Sequence, residues 1–234
     1  RVLVIDGDLG MANVDVLLGT VSRKHLLDLL RPEVDLDDVI ARTPYGIQYI
    51  SGGSGIEKAL EYDHAEKLLL QQKLSGCAAR ADLILVDTGA GLGRNVMDFI
   101  LAADEVLLVT TPEPTSLTDA YAVMKAYSIY AAQKNLRLII NRVYEQKESR
   151  EVALKLQRAA DKFLHMQVPC LGYVFEDEAV TKAVRRQTPL IMEAPNAGAA
   201  RCIDALAEAL ITGDEMRVKR GWKGFLQQIF NFSA

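Results

Sequence analysis

Apolar positions fall into six short unbroken runs, each stopped by polar or turn-forming residues. Val2–Ile5 ends at Asp6, and Ile47–Ile50 ends at Ser51-Gly52-Gly53. Leu83–Val86 ends at Asp87-Thr88-Gly89, and Glu105–Thr110 runs into Thr111-Pro112. Arg137–Ile140 ends at Asn141, and Leu171–Phe175 ends at Glu176-Asp177. The runs do not alternate, which predicts strands covered on both faces. Helical patterns are predicted over His64–Cys77, Asn95–Ala102, Ser116–Gln133, Ser149–His165, Ala179–Arg186 and Ala199–Ile211. In Ser116–Gln133, Leu117, Tyr121, Met124 and Ser128 form a one-sided stripe, and Ser116 with Asp119 fits a capping box. Strands separated by single helices predict an α/β fold with a mostly parallel, doubly wound sheet flanked by helices. Ligands bind such sheets beyond the carboxyl ends of the strands, so the polar residues there are the ones to weigh.

Composition narrows the class. The chain has 234 residues, half of them apolar, and a net charge of −4. That excludes disorder and a collagen-like fibre, and no apolar run reaches membrane-spanning length. The charge is uneven. Residues 214–234 carry a net +2, leaving −6 on the rest. Cys77, Cys170 and Cys202 are odd in number and widely spaced, which suggests neither a disulfide framework nor a zinc site. They read as small buried hydrophobes in a reducing cytosol. The domain division expected is residues 1–213 as the α/β domain and 214–234 as a basic tail.

Three strand ends carry candidate chemistry. In Asp6-Gly-Asp-Leu-Gly-Met-Ala-Asn-Val-Asp15, Gly7 allows a turn that brings two carboxylates to one site. They read either as a metal-linked carboxylate plus one orienting a water, or as a polar turn. Leu83-Ile-Leu-Val-Asp87 has the form of a Walker B strand, delivering one carboxylate where it can hold Mg²⁺ through water. Gly89 and Gly91 would let the next segment approach a γ-phosphate; the alternative is an Asp-capped turn. Asn141 offers a donor and an acceptor to an adenine edge, though Asn also ends strands for turn reasons. Ser51-Gly-Gly-Ser-Gly55 is Gly-rich but lacks a Lys-Ser/Thr ending, so it reads as a loop.

In the tail, Trp222, Phe225, Leu226, Ile229 and Phe230 share one helical face beside Arg217, Lys219, Arg220 and Lys223. That fits an interfacial helix on anionic lipid; the alternative is a terminal helix packed on the body. Gly221 and Gly224 cost about 1 kcal/mol each in helicity, which favours a segment ordered by what it binds.

Taken in order, these motifs resemble the MinD/ParA branch of P-loop ATPases with deviant Walker A motifs, and among them the MinD-like flagellar number and placement regulators. Asp6–Asp15, Asp87–Leu92, Thr110–Ala120, Ile139–Val143, Glu176–Val184 leading into Thr188–Ile191, and the tail carry the likeness. The resemblance implies that Asp8 orients the attacking water and that Asp6 and Asp87 lie near Mg²⁺. It puts Asn13 in the same switch segment. Asn141 and Arg142 would meet the nucleotide, with Phe175 and Glu176 flanking the base. It further implies ATP and Mg²⁺ as cofactors and an ATP-sandwiched homodimer. The tail, through Lys219, Arg220, Trp222, Lys223, Phe225, Leu226, Ile229 and Phe230, would bind the inner face of the cell membrane from the cytoplasm. The partners implied are a signal-recognition-type flagellar GTPase and switch-complex proteins, with no direct nucleic acid contact.

The sequence departs from that pattern in one respect. The family opens with a strand, a Lys-bearing Gly-rich loop and a helix, and no G-x-x-x-x-G-K-[ST] segment occurs here. Together with the Arg1 start, this reads as a chain short of one strand–loop–helix unit of roughly 25–40 residues. In the family that strand lies inside the sheet, so its two neighbours would lose a pairing partner. A non-catalytic adaptor for membrane and partner proteins, and a partition-type ATPase, remain the alternatives. Without a paired C-x-x-C, nothing points to an iron–sulfur carrier.

Overall fold

The computed structural model describes residues 1–8, 13–52, 64–130, 135–212 and 221–231. It forms two compact units. One comprises Arg1–Ala102 together with the segment from Lys219, the other Ala103–Val218.

In the first unit, β1 (Val2–Asp6), β2 (Ala41–Arg42), β3 (Gln48–Ile50) and β4 (Leu83–Asp87) form a sheet of order β2-β3-β1-β4. It is parallel except for β2 against β3. Leu3, Ile5, Tyr49 and Ile50 are buried in it, as unbroken apolar runs require. Short elements fill the stretch after β1: α1 (Val14–Leu17), a 3₁₀ turn at Leu26–Leu30, and α2 (Leu36–Val39). After them, α3 (His64–Ser75) and α4 (Cys77–Arg80) replace the single helix expected over His64–Cys77. The break is at Gly76, where a Cβ would come within 3.0 Å of both Leu36 and Arg80. Then α5 (Arg94–Ala102) begins one residue earlier than its pattern suggested.

In the second unit, β5 (Val106–Thr110), β6 (Leu136–Val143) and β7 (Cys170–Phe175) are parallel in that order. The intervening α6 spans Pro114–Tyr130. Two expectations fail there. The buried face is Ala120, Val123, Met124 and Tyr127, so only Met124 of the expected stripe reaches the core. Ser116 is no cap, because proline opens the helix two residues earlier. Its hydroxyl instead accepts from the Thr111 N–H at 3.0 Å and pairs with the Thr110 hydroxyl at 2.9 Å, tying the helix to the end of β5.

After β6, α7 (Gln146–Ala159) continues into a π turn at Ala160–Leu164 and stops at His165, whose φ is 49°. Then come α8 (Glu178–Arg185), α9 (Leu190–Glu193) and α10 (Gly198–Thr212). Helix α10 packs on β7 closely enough that a Cβ on Gly172 would sit 2.7 Å from Leu206. Among the described residues, β4 ends the first sheet and β5 ends the second. Leu85 and Val109 on those strands are 38% and 55% exposed.

The last element, α11 (Gly221–Asn231), belongs to the first unit and packs on α3, α4 and α5. Phe225, Leu226 and Ile229 are buried there.

Candidate functional site

The first unit gathers Asp6, Asp8, Asn13 and Asp87 at the carboxyl ends of two paired strands. Asp6 closes β1 and is in register with Asp87 closing β4. The chain then turns through Gly7, whose N–H donates to the Asp87 carbonyl at 2.6 Å. A Cβ at residue 7 would meet that same oxygen at 2.8 Å, so the close approach requires glycine. Sequence reasoning asked Gly7 only for a turn; its closeness to β4 is a further demand.

The carboxylates differ in setting. Asp6 is 1% exposed. Its Oδ1 accepts from the Asp8 N–H at 3.1 Å, and its Oδ2 from the N–H groups of Asn13 and Val14 at 3.0 and 3.2 Å. Asp8 is partly exposed and lies against Gly89, with its carboxylate atoms 3.3 Å from where a Cβ would stand. Asp87 is exposed, yet its acidity is weakened, first by partial desolvation and then by the charges of Asp6 and Asp8. A cation placed there would relieve that repulsion. Asp8 and Asp87 are oxygen donors of the kind Mg²⁺ takes, usually through water, so the residues present fit the ion. Among the described residues, no three His, Cys, Asp or Glu side chains converge as a ready-made metal cluster. Asn13 has an exposed side chain at the start of α1. Residues 9–12 of the motif lie outside the described residues.

The second unit brings Asn141, Arg142, Phe175 and Glu176 together at the ends of β6 and β7. Arg142 has a φ of 58°. Its Nε donates to Glu176 at 2.5 Å, and Glu113, just past β5, lies 3.9 Å from its guanidinium. These carboxylates hold the Arg142 guanidinium above its usual pKa. The Arg142 N–H donates to Asn141 Oδ1 at 2.9 Å, which orients the amide. Phe175 packs edge-on to Tyr173, with ring centroids 5.1 Å apart.

Sequence reasoning overlooked two residues here. Glu113 is one, and only its place in the Thr-Thr-Pro-Glu strand exit could have flagged it. Asp177 is the other. It accepts from Ala179 N–H at 2.9 Å and Ala199 N–H at 3.2 Å, capping α8 and fastening the start of α10. An Asp immediately before a helical run is an N-cap signal that could have found it.

In the tail, Trp222 donates its indole N–H to the Leu74 carbonyl at 2.5 Å. Its ring stacks on Phe225 at 5.0 Å, and Phe225 stacks on Phe99 at 6.3 Å. Lys223 points outward, and Phe230 is partly covered. The apolar face is thus turned onto the body of its own unit. Lys219 and Arg220 lie outside the described residues. Among the described residues, no helix is long and apolar enough to cross a membrane.

No family model matches the chain. Individual proteins do. It is 35% identical to the antiactivator FleN of Pseudomonas aeruginosa over 208 residues, 89% of this chain and 74% of that protein. It is 34% identical to the flagellum site-determining protein YlxH of Helicobacter pylori over 238 residues, 99% and 80% of the two chains. Among solved structures, the septum site-determining protein MinD of Pyrococcus horikoshii, complexed with Mg-ADP, superposes with a TM-score of 0.68 at 26% identity, covering 91% of this chain and 84% of that one. The mostly parallel sheet flanked by helices has the P-loop NTPase architecture of the MinD/ParA structures. The chain belongs to the MinD/ParA-type ATPase family, and within it is most like FlhG.

Proposed function

We propose that this protein is a flagellar regulator that cycles between a monomer and an ATP-sandwiched, membrane-bound dimer. The observation carrying the reading is that Asp6 and Asp87 end adjacent paired strands, with Asp8, two residues past Asp6, lying against Gly89. Bound Mg²⁺ would supply charge neutralisation on the transferring phosphoryl group. Asp87 would hold the ion through water. Asp8, on the turn after β1, would orient the water that attacks. Asn141 would donate from its NH₂ to the purine edge, with Arg142, Phe175 and Glu176 forming the wall beside the base.

The relatives' flagellar roles support action in flagellar assembly, from the cytoplasm, with the basic amphipathic tail meeting anionic lipid. Flagellar GTPase and switch-complex proteins are the partners this reading expects. The division into residues 1–213 and a tail from 214 is functional: the tail is the segment that would change sides. ATP turnover and vesicle sedimentation of the full-length protein test the proposal. Turnover that vanishes in Asp8→Ala, with lipid binding that needs ATP, is expected. Absence of turnover with lipid present, or its survival in Asp8→Ala, would sink it.

A further inference from the structure

Asp6 stands apart from the two other carboxylates of its cluster. It is 1% exposed, and three backbone N–H groups converge on its two oxygens. A carboxylate has about four acceptor positions, so three are spent on the protein's own backbone. The donors belong to Asp8, Asn13 and Val14, which bracket the motif on both sides. One buried side chain thereby holds Asp8 on one side and Asn13 and Val14 on the other. Hydrogen bonds to a charged acceptor are roughly twice as strong as neutral ones, and a buried carboxylate without them is costly. About one acceptor position remains, so a cation or its water would have to share oxygens that the backbone already engages. Asp87 is tied less: it is exposed, the backbone hydrogen bond acting on it comes from Thr88, and its charge is resisted by partial desolvation and by Asp6 and Asp8.

We propose that Asp6 is a positioning residue, not a ligand of the divalent cation: its buried carboxylate pins the segment that carries Asp8 and Asn13, and so sets where Asp8 stands over Gly89. The inference deepens the ATPase reading and rests on it for its catalytic consequence. It narrows the metal side of the site to Asp87, and it reassigns a residue that sequence order alone paired with Asp87. Asp6→Asn removes the negative charge and turns an NH₂ toward at least one backbone N–H, a donor facing a donor.

The test uses the full-length protein and two readouts. Amide hydrogen exchange is measured without nucleotide on wild type and Asp6→Asn. Exchange at Asp8, Asn13 and Val14 should quicken at least about tenfold in the variant, the shift expected from losing ~1.4 kcal/mol of protection. Turnover is then titrated with Mg²⁺. Asp6→Asn should lower kcat at least tenfold with an unchanged Mg²⁺ half-saturation point, whereas Asp87→Asn should raise that point. In case Asp6→Asn folds poorly, wild type alone also decides. With saturating Mg-ADP, the Asn13 and Val14 amides stay protected if Asp6 is a pin and lose protection if it moves to the ion. A raised Mg²⁺ requirement in Asp6→Asn, unchanged exchange in that variant, or deprotection by Mg-ADP overturns the proposal. A wild type with no turnover defeats the ATPase reading instead, while the nucleotide-free exchange comparison still judges the pin.

Discussion

The tail offers the sharpest quantitative prediction, because its docking rests on few side chains and carries its own probe. Leu226 is 2% exposed against the first unit. Truncating a buried leucine to alanine costs about 2–5 kcal/mol. Taking about 3 kcal/mol, Leu226→Ala lowers the ratio of docked to undocked tail by roughly 150-fold. Gly221 and Gly224 add to the effect, since an undocked segment with two glycines has little helicity of its own to retain. Trp222 is the single tryptophan of the chain, held by the Leu74 carbonyl and stacked on Phe225. Its fluorescence therefore reports docking directly. Leu226→Ala should shift the emission to the red and raise acrylamide quenching, with the body still folded by circular dichroism. Lys223→Ala, on the exposed side, should leave both unchanged. If Leu226→Ala keeps wild-type emission and quenching, the packing described for α11 is not what holds the tail.

Three other outcomes are expected. Gly7→Ala should destabilise the protein by about 2 kcal/mol in urea unfolding, because its Cβ meets the rigid Asp87 carbonyl at 2.8 Å. Gly172→Ala, facing the movable end of Leu206, should cost clearly less; equal costs would contradict the distinction. Asp98 is buried on α5 with Oδ2 lacking a hydrogen-bond partner, and burial raises its pKa above the unfolded value. The folded state then binds the extra proton between those two values, so this residue's contribution to stability falls as pH rises through that window. Asp98→Asn should flatten that decline and raise the unfolding midpoint at pH 7; a steeper decline refutes the account. The Cys77 thiol is fully buried, and burial pushes its pKa up to about 12. In the native protein at pH 8, a thiol reagent should modify exposed Cys170 first and leave Cys77 for the unfolding step, as mass spectrometry would show.

The long-range plan was legible because it depends on apolar runs long enough to have only one reading. All six strands form within a few residues of their predicted limits, and Asp6 and Asp87 stand in register at the ends of paired strands. What escaped was local. The 3₁₀ turn at Leu26–Leu30 and α2 span barely a turn, too short for any period to emerge. Their signal lies in side chains reaching back: Asp28 accepts from the His25 N–H and Asp38 from the Asp35 N–H. The α6 stripe was misread because that helix is apolar on more than one side. Tyr121 and Tyr127 both look like core residues on paper, and only packing against β5 and the π turn selects Tyr127. Residue type and spacing alone do not separate Asp6 from Asp8; only the family resemblance gives them different roles. Their difference is made by backbone N–H groups from seven and eight residues further on.

The pairing order of the strands has one more consequence. β4 and β5 each finish a sheet among the described residues, yet neither carries the lysines, prolines or bulges by which natural edge strands repel company. Leu83-Ile-Leu-Val and Val106-Leu-Leu-Val are instead the kind of segment expected in a sheet's interior. Such strands are templates. Each presents a row of backbone donors and acceptors on an apolar ribbon, ready to zip with any extended segment that arrives in parallel.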